Sequence, residues 1–191
     1  STILITLAIL FMSFQYMVKS NTDNTLNYKY KIEKKYEDIE IRIYDKALLA
    51  KIELSKGEYK DMSSKGFRVL ADYIFGNNNS NEQISMTSPV VMEMNEKFTM
   101  EFIMPSNYDI KTLPMPRNSK IEIYEKPSWK AASISFGGFA NDKIINEKVE
   151  ELKKELNDLK INHKSNFKFF GYNPPFQLIN RKNEVVVEII E

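Results

Sequence analysis

The sequence predicts an α+β domain in which two similar halves build one antiparallel sheet flanked by two helices. The pattern strand–strand–helix–strand–strand occurs twice, at about residues 39–104 and 120–190. Alternating apolar and polar residues mark the strands, and apolar residues three and four positions apart mark the helices. Two such units are expected to pair into a closed or distorted barrel with one helix from each half outside, because closure removes exposed strand edges.

The composition indicates a globular chain of 191 residues, of which 42% are hydrophobic and 28% are charged. This length suggests one domain plus an appendage. Lys and Arg together number 27 against 26 for Asp and Glu, and this balance argues against a nucleic-acid-binding surface. The chain contains no cysteine, which excludes disulfides, iron–sulfur clusters and cysteine-ligated zinc.

The N-terminal stretch over residues 2–18 is uncharged and mostly apolar. Its length falls between the ~7–15 residues of a signal-peptide core and the ~20 residues of a spanning helix. We predict a hydrophobic signal-anchor or uncleaved signal peptide over residues 1–19, which would anchor the chain in a membrane or direct its export. A buried strand or helix of the domain is the alternative. Residues 20–27 are polar and are predicted to tether this segment to a soluble domain over residues 28–191.

The first half opens with a clear alternation. Ile39, Ile41 and Ile43 point to one side, while Glu40 and Arg42 point to the other. This pattern predicts a half-buried strand within residues 28–44, and a second strand follows over residues 47–54.

A helix is predicted over residues 58–75. Its core-facing residues recur at helical spacing and are Tyr59, Met62, Leu70 and Tyr73. Gly76 follows and suits a left-handed C-cap.

A hairpin is predicted next, with arms over residues 83–94 and 97–104. Pro89 lies inside the first arm and cannot donate a ladder hydrogen bond. We therefore predict a bulge at Pro89 and the Met-Thr-Ser before it, rather than an unbroken central strand.

The second half repeats these elements. Strands are predicted over residues 120–124 and 130–136, a helix over 142–159, and a final interrupted sheet over 167–190. In the predicted helix the apolar residues recur at four–three–four–three spacing.

Motifs for catalysis or metal binding are missing from the sequence. It holds one histidine, His163, in a polar stretch predicted as a solvated connector, and it lacks a Gly-x-Ser-x-Gly elbow and a glycine-rich phosphate loop. No His, Asp and Glu cluster has metal-ligand spacing. We therefore predict no catalytic and no metal-binding residues, and a chain that is not an enzyme.

Several short motifs resemble those of the SOUL haem-binding family, and the resemblance covers about residues 30–189. The motifs are Gly66-Phe67-x-x-Leu70, Tyr73-Ile74-x-Gly76-Asn77, Met86-Thr87-x-Pro89-Val90, Phe102-Ile103-Met104-Pro105, Ser135-Phe136-Gly137-Gly138 and Gly171-Tyr172-Asn173-Pro174-Pro175-Phe176. They occur in the family's order. The resemblance implies an eight-stranded distorted barrel with two long helices, similar to the gyrase-inhibitor-like ligand-binding fold.

The resemblance also implies a function, namely non-enzymatic binding of haem or another tetrapyrrole in an apolar groove beside the first helix of the domain. The cofactor-binding candidates are Met62, Lys65, Arg68 and Met86. Methionine is a known axial ligand of haem iron, and lysine and arginine can pair with propionates. Residues 28–82 contain no histidine, so no clear histidine ligand is implied.

Two other readings stay open at this point. The chain could be a binding module for a different apolar or amphipathic small molecule, or an enzyme acting on such a ligand. The methionines could equally be core residues that fill irregular space. In every case we expect a monomer with no nucleic-acid partner, and membrane contact through the N-terminal segment only.

Overall fold

The computed structural model describes residues 2–23 and 25–190. Within them lie three helices, α1 Thr2–Asp23, α2 Tyr59–Ile74 and α3 Asp142–Asp158. The strands of the first half and of the segment before it are β1 Leu26–Asn27, β2 Tyr30–Lys35, β3 Ile39–Tyr44, β4 Ala47–Leu54, β5 Thr87–Ser88, β6 Val90–Met94 and β7 Phe98–Ile103. Those of the second half are β8 Ile121–Lys126, β9 Trp129–Phe136, β10 His163–Gly171 and β11 Asn183–Ile189.

Nine of these strands form one antiparallel sheet in the order β2-β3-β9-β11-β10-β6-β7-β4-β8. The edges β2 and β8 do not pair with each other among the described residues. The α+β class and the antiparallel sheet are confirmed, but the sheet has nine strands and two free edges instead of eight strands in a closed barrel. β1 and β5 form a separate parallel pair.

The strand order shows how the two halves combine. Each half has the order strand, strand, helix, strand, strand, and the first strand of each half pairs with the second strand of the other: β3 with β9, and β8 with β4. The halves also meet at the centre, where β6 pairs with β10. Exchanging the halves therefore reverses the order from β3 to β8, and only β2 falls outside this symmetry.

Helices α2 and α3 contribute to the same hydrophobic core. Met62, Leu70 and Tyr73 of α2 belong to it together with Leu152 and Leu156 of α3. These residues recur at the spacing that gives each helix one apolar face. A second cluster of aromatic and aliphatic residues includes Tyr28, Tyr44, Trp129 and Phe170, and contains no residue of α2 or α3.

The sequence located both domain helices closely but missed one turn. The predicted helices over 58–75 and 142–159 appear as α2 and α3. The single strand expected within residues 28–44 is instead the hairpin β2–β3, closed by a hydrogen bond of 2.9 Å from the backbone N–H of Tyr36 to the carbonyl of Ile39. The acidic pair Glu37-Asp38 lies at this turn, and apolar periodicity alone did not reveal it.

Pro89 separates β5 from β6, so this arm is not an unbroken strand, as predicted. The peptide bond between Ser88 and Pro89 is cis. His163 departs from the prediction. It begins β10 instead of lying in a connector, is half-buried, and its ring meets Phe167 at a centroid distance of 5.3 Å. His163 pairs with Ile189 of β11. This pairing extends β10 beyond Phe167, where the predicted strand begins.

The N-terminal segment is helical, and α1 continues through Ser20 to Asp23, beyond the predicted anchor boundary at residue 19. Gln15 receives a hydrogen bond of 2.9 Å from the backbone N–H of Leu178, and the Thr22 hydroxyl donates one of 2.8 Å to Gln177. No helix among residues 2–23 and 25–190 has the length and apolarity needed to cross a membrane.

Candidate ligand-binding site

The four residues predicted to hold a cofactor lie in different environments. Met62 is 6% exposed and packs in the core beneath α2. Lys65 and Arg68 are exposed on the same helix, and Met86 is half-buried in the segment before β5. The structure therefore does not bring them together on one accessible surface.

The exposed surface of α2 places Lys65 and Phe67 on different sides of the helix. Successive residues of an α-helix turn by about 100°, so Lys65 and Phe67 point in directions about 200° apart. Phe67 is an exposed aromatic residue of α2, and its ring meets Phe102 at a centroid distance of 5.4 Å. A flat anionic ligand that stacks on Phe67 would therefore not also contact Lys65.

A large cavity lies elsewhere, at one end of the sheet. We call it the mouth cavity; its volume is about 1010 Å³, and it is lined by residues 26–29, 45–48, 103–106, 108–109 and 125–128 together with Thr87. These segments are β1 and its continuation, the β3–β4 turn, the end of β7 with the loop after it, and the β8–β9 turn. Volumes of about 300–1,000 Å³ are typical of ligand pockets.

The apolar wall of the mouth cavity draws on both hydrophobic clusters. Leu48 and Met104 belong to the cluster beneath α2 and α3, while Tyr28 and Ile103 belong to the second cluster. The hydroxyl of Thr87 donates to the carbonyl of Ile103, which fixes the β5 segment against the end of β7. The wall is thus held by packing from two sides.

The charged residues around the mouth cavity balance one another. They are the basic residues Lys29, Lys46 and Lys126 and the acidic residues Asp45, Asp109 and Glu125. Five of the six are exposed, and Lys126 is half-buried. Cationic side chains are therefore available to an anionic group.

Tyr28 joins the mouth cavity to the aromatic cluster. Its hydroxyl donates to the carbonyl of Asp45 at 2.9 Å and accepts a hydrogen bond of 3.0 Å from Nε1 of Trp129. Burial raises the pKa of Tyr28 to about 12. The phenol therefore keeps its proton at neutral pH and acts as a structural group in this wall.

A buried charge network lies on the β3, β9 and β11 strands. Glu184 is fully buried and accepts two hydrogen bonds of 2.9 Å from the guanidinium of Arg42. The hydroxyl of Tyr172 donates to the same carboxylate at 2.6 Å and that of Ser135 at 3.0 Å. Its donors and acceptors satisfy one another, so the network is a structural feature and leaves little for a ligand.

The mouth cavity meets two requirements of haem, and it offers few candidates for the third, an axial ligand of the iron. Haem needs an apolar slot, cations for its propionates and, in many proteins, an axial ligand. The slot and the three lysines are present, and Met104, which is 4% exposed, is the methionine in the lining. His163 is not among the lining residues. Among residues 2–23 and 25–190, no group of His, Cys, Asp and Glu could hold a metal ion.

The sequence did not predict the cavity residues as site residues, and the reason is physical. They come from strand ends and turns, where neither the two-residue nor the 3.6-residue period applies. Two dipeptides of charged and turn-forming residues, Asp45-Lys46 and Lys126-Pro127, were the signals available. They mark two turns without indicating that the turns lie side by side.

Residues 25–188 match the family described as SOUL heme-binding protein. The match covers most of the chain, so the chain belongs to the SOUL heme-binding protein family, as the sequence motifs predicted. It is similar to Heme-binding protein 1 of Xenopus laevis, with 28% identity over 154 residues, which is 76% of this chain and 80% of the relative. Heme-binding protein 2 of Homo sapiens is 28% identical over 155 residues, or 76% of this chain and 75% of the relative.

Solved structures share the fold at much lower identity. The C-terminal domain of EcmrR has a TM-score of 0.61 at 10% identity and covers 85% of this chain and 98% of its own. A hydrolase from Listeria innocua has a TM-score of 0.58 at 8% identity, with coverage of 83% and 94%. At such identities the likeness concerns the arrangement of helices and strands alone.

Proposed function

We propose that this chain binds haem or another tetrapyrrole non-covalently and releases it unchanged. Membership of the SOUL heme-binding protein family over residues 25–188 is the observation that carries the proposal. The relatives named above are heme-binding proteins, which favours binding over catalysis. An apolar cavity with lysines at its rim supports the same ligand class.

We place the ligand in the mouth cavity. The sequence analysis had expected a groove beside α2, with Met62, Lys65, Arg68 and Met86 as contacts. The mouth cavity is favoured because apolar side chains and lysines line the same cavity there. On α2, Met62 is buried and Lys65 faces away from the exposed Phe67.

The cavity would hold the macrocycle mainly by apolar burial. Leu48, Ile103 and Met104 would contact its faces, and the lysines would meet its propionates through charge-assisted hydrogen bonds. Iron supplies the spectroscopic signature and the redox chemistry of haem when haem is bound. Met104 and Tyr108 are lining residues of this cavity whose side-chain types can ligate haem iron.

A haemin titration of three proteins tests both the ligand and its place. The proteins are wild type, Ala47→Trp, and the double variant Lys65→Met with Arg68→Met. Ala47 is half-buried at the start of β4 and lines the mouth cavity, so an indole there fills space that the ligand needs. We expect Ala47→Trp to weaken haemin binding by about tenfold or more, which corresponds to ~1.4 kcal/mol. The double variant should bind as wild type does.

The reverse outcome would place the binding site outside the mouth cavity. Loss of affinity in the double variant, with Ala47→Trp unchanged, would place the ligand beside α2 and leave tetrapyrrole binding intact. Absence of any Soret change in wild type would contradict the proposal. It would favour a binding module for a different apolar or amphipathic molecule. Recovery of chemically altered haem would instead indicate an enzyme.

A further inference from the structure

Helix α1 presents apolar side chains on every side along most of its length. Successive residues of a helix turn by about 100°, so the exposed large apolar residues between positions 4 and 17 point in all directions around the axis. A helix that is apolar all round is normally buried in a large core or in lipid. The exposed residues are Leu4, Ile5, Leu7, Ile9, Leu10, Phe11, Met12, Phe14, Tyr16 and Met17.

A second apolar surface lies in the loop between β10 and β11. We call residues 173–180 the apolar loop; it contains no charged residue, and Phe176, Leu178 and Ile179 in it are exposed. Arg181 holds its backbone in place. The guanidinium of Arg181 donates hydrogen bonds of 2.6 to 3.3 Å to the carbonyls of Asn173, Pro174 and Gln177.

Helix α1 lies directly against the apolar loop. Gln15 is buried there, accepts a hydrogen bond of 2.9 Å from the backbone N–H of Leu178, and donates one of 3.3 Å to the carbonyl of Phe176. Further along the helix, Thr22 donates to the side chain of Gln177. The contacts with Phe176 and Leu178 use backbone groups, so their side chains stay exposed beside α1.

We propose that α1 and the apolar loop together form a lipid-binding surface through which the chain docks on a bilayer. Hydrocarbon contacts all sides of a helix at once, whereas pairing with a second copy would cover one side of α1 and leave the others in water. Neither residues 4–17 nor the apolar loop carries a charge that would oppose burial in lipid. The sequence predicted membrane contact through the N-terminal segment only, and the loop adds a second contact from the other half of the chain.

Flotation of the full chain with phosphatidylcholine vesicles over a lipid titration provides the first test. The double variant Phe176→Ser with Leu178→Ser removes two apolar side chains and keeps the backbone contacts with Gln15. We expect its partition coefficient to fall about tenfold or more, because both side chains lose their transfer into hydrocarbon. Wild-type binding should not weaken between about 0.1 M and about 0.5 M salt, since the surface is uncharged.

The matched control is Phe75→Ser with Ile110→Ser. These residues are also a phenylalanine and an aliphatic residue, and they are exposed outside α1 and the apolar loop. This variant should bind vesicles as wild type does.

A fluorescent label reports directly whether the loop enters lipid. The chain contains no cysteine, so a single introduced cysteine can be labelled selectively. A nitrobenzoxadiazole label on Leu178→Cys should shift its emission to shorter wavelength when vesicles are added, and nitroxide-labelled lipid should quench it. The same label on Phe75→Cys should show neither effect.

The remaining outcomes contradict the inference. Unchanged binding by the loop variant, or an unshifted label on Leu178→Cys, would overturn the joint surface and leave α1 as the lipid contact. Failure of wild type to bind vesicles would overturn lipid as the occupant, and a dimer in size-exclusion chromatography would then assign the surface to a second copy. Each of these results leaves haem binding in the mouth cavity unaffected.

Discussion

Arg42 and Glu184 show how a single buried pair constrains the sheet. The pair joins β3 to β11 across β9, and the carboxylate of Glu184 is inaccessible to water. Burial by itself would raise the pKa of Glu184, but the hydrogen bonds and the charge of Arg42 lower it to about 2. Because the folded-state pKa lies below the ordinary value of 4.5, ionised Glu184 favours the folded state.

We predict a pH-dependent loss of stability when this carboxylate is removed. Glu184→Gln should lower the free energy of unfolding by about 3 kcal/mol at neutral pH, because it leaves Arg42 without its main partner. This contribution is fully present above the unfolded pKa and is lost as the pH falls from about 4.5 towards 2. Urea unfolding of wild type and variant across this range measures the difference.

Glu147→Gln is the matched control. Glu147 pairs with Lys143 across one turn of α3 at 3.9 Å, and both side chains are well exposed. Its removal should change stability by less than about 0.5 kcal/mol at any pH. A Glu184→Gln variant that behaves like this control would contradict the account of the buried pair.

At the scale of an element, Gly66 determines how closely α2 approaches the sheet. A Cβ atom at Gly66 would lie 3.2 Å from Cβ of Met100 on β7, which is tighter than ordinary van der Waals contact. A side chain at this position would therefore require α2 or Met100 to shift by a few tenths of an ångström. Close packing of α2 against Met100 thus explains the glycine in the Gly66-Phe67-x-x-Leu70 motif.

We predict that Gly66→Leu destabilises the fold by about 1–3 kcal/mol, because the new side chain must displace α2 or Met100. Ser64→Leu places the same side chain at an exposed position of the same helix and should change stability by less than about 0.5 kcal/mol. Thermal or chemical unfolding compares the two. Equal stability of both variants would show that α2 can shift without cost.

For the whole molecule, periodicity predicted most of the fold. It located α2 and α3 to within about one residue at each end, and it revealed two halves with the same order of elements. It did not reveal the turn at Glu37-Asp38 or the extension of β10 back to His163, because these depend on pairing with partner strands. The described residues do not form the predicted eight-stranded distorted barrel, because β2 adds a ninth strand and the edge strands β2 and β8 do not pair with each other.

The sequence predicted the ligand-binding site less well than it predicted the fold. The motifs predicted the family correctly, and one of them contains Gly66, which has a packing role. The cavity itself depends on the exchange of first strands between the halves, which sets the β3–β4 and β8–β9 turns beside each other. Lys126 comes 78 to 100 residues after the cavity residues 26–29 and 45–48 in the chain, so no local pattern could join them.

Amide hydrogen exchange with and without saturating haemin tests the central claim most directly, because it reports where the ligand lies on the unmodified chain. We predict slower exchange in residues 26–29, 45–48, 103–106, 108–109 and 125–128, which line the mouth cavity, with residues 59–74 of α2 unchanged. Protection confined to α2, with the cavity segments exchanging as in the free protein, would contradict this account of the site.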